Sequence, residues 1–102
     1  MREKTFEELV RDADFDVSVR FNHLDDTLCE IDESLMELYV DQICTEIDII
    51  IARELEESTV ILRAELDEIE KNIDYLLHKY EIVCDMYDEV LFEILGGLNI
   101  AK

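Results

Sequence analysis

Residues 62–94 read LRAELDEIEKNIDYLLHKYEIVCDMYDEVLFEI, and within them Leu62, Leu66, Ile69, Ile73, Leu76, Tyr80, Val83, Tyr87, Val90 and Ile94 follow at alternating steps of four and three. No Gly or Pro interrupts the run. Apolar side chains recurring every 3.5 residues fall in one stripe, the heptad seam of a long amphipathic helix. The seam can be followed back through Thr59, Leu55 and Ala52, more weakly because Ala and Thr bury little surface. Such a stripe is stable only when covered, so the N-terminal half of the chain must supply a partner for it.

The N-terminal half offers two elements. Thr5-Phe6-Glu7-Glu8 has the form of a capping box, and it starts a first helix predicted over residues 6–21. Phe6, Val10, Ala13, Val17 and Phe21 recur at helical spacing, and Asn22 can close the helix in the left-handed conformation. Residues 12–21 also alternate apolar and polar, a strand pattern whose only partner within the chain would be residues 98–101. A second helix, residues 24–57, carries Leu24, Leu28, Ile31, Leu35 and Leu38, then Ile43, Ile47, Ile50 and Leu55. The step between Leu38 and Ile43 breaks its register. Ser58 and Thr59 are poor helix formers, so a turn is expected at residues 57–59, with one uninterrupted helix as the competing arrangement. A third helix, residues 59–95, should stop at Gly96-Gly97, the only glycines of the chain, leaving a tail over residues 96–102.

The predicted fold is therefore all-α: a long antiparallel, coiled-coil-like helical hairpin with a short N-terminal helix, in a single domain over residues 1–102. Leu77, Cys84, Met86, Leu91 and Phe92 widen the stripe of the last helix beyond a two-residue seam. So wide a face predicts a homodimer.

Of 102 residues, 28 are acidic and 9 basic, a net charge of −19, yet 49% are hydrophobic. Disordered acidic tails lack that apolar content, so a folded protein with a strongly negative surface is expected. Such a surface repels nucleic acid and anionic membranes and is complemented by a basic partner. No apolar run approaches the roughly 20 residues of a membrane span, and no signal-peptide h-region follows Met1, so the cytoplasm is the expected compartment. Cys29, Cys44 and Cys84 are odd in number and include no CxxC pair. Reduced thiols fit them best.

Catalytic patterns are thin. Glu65-Leu66-Asp67-Glu68 and Asp85-Met86-Tyr87-Asp88 resemble the paired carboxylates with which MazG-type pyrophosphohydrolases hold magnesium. On one helix the two pairs would lie about 30 Å apart, too far to share an ion. Asp12, Asp14 and Asp16 open like a calcium loop, but Val17 and His23 stand where Gly and Glu are needed. His23 and His78 lack di-iron spacing, and no phosphate loop, nucleophile elbow or HExxH motif occurs. The expectation is a protein that is not an enzyme and uses no metal or cofactor.

What remains is the placement of charge. No Lys or Arg occurs in residues 21–52, which hold nine acidic residues. An ordinary solvated helix interleaves both signs to gain i,i+4 pairs. Asp26, Glu30, Glu33, Glu37, Asp41 and Asp48 form one candidate partner-binding row, and Asp67, Glu70, Asp74, Glu81, Asp85 and Asp88 a second. Neighbours in such a row stand about 5 Å apart along the helix, against about 3.4 Å between phosphates of one DNA strand. In composition and size the chain resembles the small acidic virus-encoded proteins that block restriction or CRISPR nucleases by mimicking DNA. No motif carries that resemblance, so it transfers no residues. It implies an inhibitor that occupies the cationic groove of a DNA- or RNA-binding protein such as a defence nuclease, in the host cytoplasm if the protein is viral. The other function class the pattern admits is a helical scaffold, adaptor or chaperone that binds through its apolar seam.

Overall fold

The computed structural model describes residues 5, 7, 8 and 15–100, the last four as backbone. Over these residues it contains two long helices and no strand: α1, Phe15–Glu54, and α2, Val60–Ile100. Thr5 Oγ1 accepts from the Glu8 backbone N–H at 3.2 Å, the first half of the expected capping box. Residues 6 and 9–14 of the expected first helix lie outside the described residues. Residues 15–21 are helical rather than extended, and they begin α1 instead of closing a separate helix. Asn22 is therefore mid-helix: a capping residue stops a helix only where the apolar face also stops, and here Leu24 continues the face of Phe21.

The ten seam residues of α2 are all buried or half-buried, with Ile73, Val83, Val90 and Ile94 the most enclosed. Its helix also passes the expected stop at Gly96-Gly97 and reaches Ile100. On α1 the enclosed residues include Val17, Phe21, Leu24, Leu28, Ile31, Leu35, Leu38, Gln42, Thr45, Ile49 and Ala52, an unbroken heptad, with Ser18 and Thr27 half-buried beside it. The expected change of step after Leu38 does not occur. Gln42 and Thr45 hold the register, and Ile43, Ile47, Ile50 and Leu55 are left 50–62% exposed.

Residues 55–59 form the turn. Glu57 N–H donates to Ala52 O at 2.8 Å and Glu56 N–H to Arg53 O at 3.1 Å, the bond pair of a Schellman motif. Its left-handed residue is Glu56, with φ 57°. Arg63 N–H then donates to Thr59 O at 2.9 Å, opening α2, while Ser58 Oγ accepts from Val60 N–H at 3.4 Å.

The chain divides into two compact units. In Glu30–Tyr80 the turn folds α2 back on α1 as an antiparallel hairpin: Thr45 and Ile69 share one cleft, Ile49 and Leu66 another. In the unit of Met1–Cys29 and Glu81–Lys102 the helices again run antiparallel. There Arg20 meets Glu93 at 3.5 Å, and the Phe21 and Tyr87 rings lie 5.2 Å apart, tilted by 35°. No described helix is long and apolar enough to cross a membrane.

Candidate functional site

Every carboxylate of the two candidate rows is exposed. Asp67 is ion-paired, with Lys71 one turn on at 3.2 Å; the others are in no ion pair among the described residues. Arg20 is committed elsewhere, to Asp16 at 3.1 Å and to Glu93.

Within the unit Glu30–Tyr80 the rows are not side by side. A cleft of about 390 Å³ runs along one edge of the hairpin, lined by Asp41, Cys44, Thr45, Glu65, Glu68 and Ile69, with no base among them. Asp48, seven residues beyond Asp41, shares its heptad position, and Glu30 and Glu37 share that of Cys44. The opposite edge holds a cleft lined by Glu46, Ile49, Ile50, Arg53, Arg63 and Leu66. Glu70 lies at the heptad position of Arg63 and so belongs to that basic-bearing edge, with Asp67 and Asp74 next to it and Glu33 on the back of α1. The row read from acidic spacing on α2 does not share the cleft of Asp41: Glu65 and Glu68, the residues of the metal-site resemblance, are the carboxylates that line it. Counting back from the Leu62–Leu66–Ile69 seam is the signal that finds them.

The other unit holds Asp26, Glu81, Asp85 and Asp88. Its cleft is lined by Arg20, His23, Leu24, Met86, Glu89 and Val90, so a base and an imidazole interrupt the negative charge. Burial pushes the Tyr87 hydroxyl above its ordinary pKa, and the charges of Asp25 and Asp88 add to the rise.

Among the described residues no group of three or more His, Cys, Asp or Glu side chains is placed to hold a metal ion. The three cysteines are free thiols. The arrangement offers long-range attraction for cations, through exposed carboxylates at helical spacing. Comparison with known protein families, with curated proteins and with solved structures finds no match to this chain.

Proposed function

We propose that the protein is an acidic inhibitor that imitates nucleic acid and occupies the cationic groove of a DNA- or RNA-binding protein, such as a defence nuclease. The observation that carries this reading is the base-free cleft at one edge of the hairpin, where Asp41, Glu65 and Glu68 converge from two helices, with Glu30, Glu37 and Asp48 along the same side and Lys79, two heptads beyond Glu65, the one base at that edge within the unit. Solubility alone needs only scattered charge, and a helix that gives up its i,i+4 pairs loses about 0.2–0.5 kcal/mol for each one. A cleft lined by carboxylates without a base is instead what a groove lined with Lys and Arg would recognise.

The test is capture of the partner from the native host on immobilised protein, comparing two triple reversals. Asp41→Lys, Glu65→Lys and Glu68→Lys together should abolish capture. Asp67→Lys, Glu70→Lys and Asp74→Lys on the basic-bearing edge should weaken it much less, although the net charge changes equally. Equal loss from both triples would assign binding to net charge and not to this edge. Circular dichroism controls for folding, since Lys is as good a helix former as Glu.

A further inference from the structure

In the unit Glu30–Tyr80 the outward side of α1 carries a second apolar stripe, Met36, Val40, Ile43, Ile47 and Ile50, each 50–67% exposed. Its steps of four, three, four and three repeat the rhythm of the intramolecular seam, which these residues do not join. The side chains flanking it are Glu37, Cys44 and Ile51 on one side and Tyr39, Glu46 and Arg53 on the other.

We propose that this stripe is a homodimer interface, in which the stripes of two copies pack antiparallel about a two-fold axis at the level of residues 44–46. A 3.5-residue apolar repeat is matched best by another of the same rhythm, and an antiparallel two-fold lays this stripe on itself along its whole length. The surface is of the right order. An Ile, Val or Met side chain carries roughly 60–120 Å² of apolar area on the transfer scale. The stripe with Tyr39 and Ile51, 39–67% exposed, therefore leaves roughly 300–400 Å² in water. An ordinary interface buries about 800 Å² a side, rather more than half of it apolar, so the stripe supplies most of that apolar share. Charge fits the antiparallel arrangement: Arg53 of one copy comes opposite Tyr39 of the other, and the one like-charge meeting on the flanks is Glu46 with its own equivalent. Repulsion between the remaining carboxylates is screened beyond about 8 Å at physiological salt. The dimer leaves Asp41, Glu65 and Glu68 uncovered, because Asp41 lies about a third of a turn around α1 from the stripe, while Glu37 and Cys44 of the same edge flank the interface.

Sedimentation of the reduced protein should show a dimer with a Kd of about micromolar order, tightening as salt is raised. Ile43→Asp with Ile47→Asp should give a monomer of unchanged helicity, since both side chains are already in water, whereas Tyr75→Asp, a change at a 64% exposed residue off the stripe, should leave the dimer intact. A chain keeping Cys44 as its only cysteine should be joined by a short bis-maleimide, and a chain keeping only Cys29 should not. Wild-type protein that stays monomeric at about 100 µM, a hundredfold above that Kd, or a dimer that survives the double Asp change, would overturn the interface. A dimer joined through Cys29 and not Cys44 would overturn the two-fold.

Discussion

Glu56 occupies the position a helix C-terminus usually gives to glycine. Its φ of 57° costs a residue with a Cβ about 1–2 kcal/mol, and the two Schellman bonds hold it there. Gly96, by contrast, lies within α2, has no positive φ, and has nothing within 4 Å of where a Cβ would stand. Glycine is thus absent where backbone freedom is needed and present where it only weakens the helix. Glu56→Gly should stabilise the fold by about 1 kcal/mol and Gly96→Ala by about 0.5–1 kcal/mol. In thermal melts each kcal/mol corresponds to roughly 4–8 °C for a chain of this size. A fall in melting temperature for Glu56→Gly would mean that the left-handed turn is not formed in solution. The same residue explains why the turn was hard to place from sequence: neither Gly nor Asn marks it, and the Schellman bonds draw it back to residue 55.

At the scale of the element, α2 was legible because all ten positions of its seam are apolar and nothing competes with them. α1 was legible only as far as Leu38. Beyond it the true seam passes through Gln42 and Thr45, while Ile43, Ile47 and Ile50 form an equally regular stripe on another face, and hydrophobicity alone selects the wrong one. What decides is the unbroken 4–3 count from Phe21, which keeps the side that α2 already covers. Asn22 and Gly96-Gly97 misled for a related reason: local stop signals, worth about 1 kcal/mol each, yield when packing continues across them. The register is tested by neighbouring substitutions. Ile49→Ala should cost about 2–5 kcal/mol as a buried truncation. Ile50→Ala should stay within about 0.5 kcal/mol when measured at concentrations low enough for monomer. Comparable urea midpoints for the two variants would reject the seam.

For the whole molecule the dominant quantity is the net charge of −19. Its self-repulsion opposes compaction and self-association, and salt relieves it, so thermal stability should rise between low and physiological ionic strength. Binding to a cationic groove has the opposite dependence and should weaken steeply over the same range. The exposure of the carboxylates was legible from helical spacing, but which of them share an edge depends on how two helices face each other, and that required the pairing of Asp41 with Glu65 and Glu68. The most direct test of nucleic-acid mimicry is a competition titration: the captured partner is loaded with labelled DNA or RNA, and this protein is added at fixed salt. Mimicry predicts that the label is released as the protein binds, and that the Asp41→Lys, Glu65→Lys, Glu68→Lys variant releases none. A ternary complex holding partner, labelled nucleic acid and this protein together would contradict it.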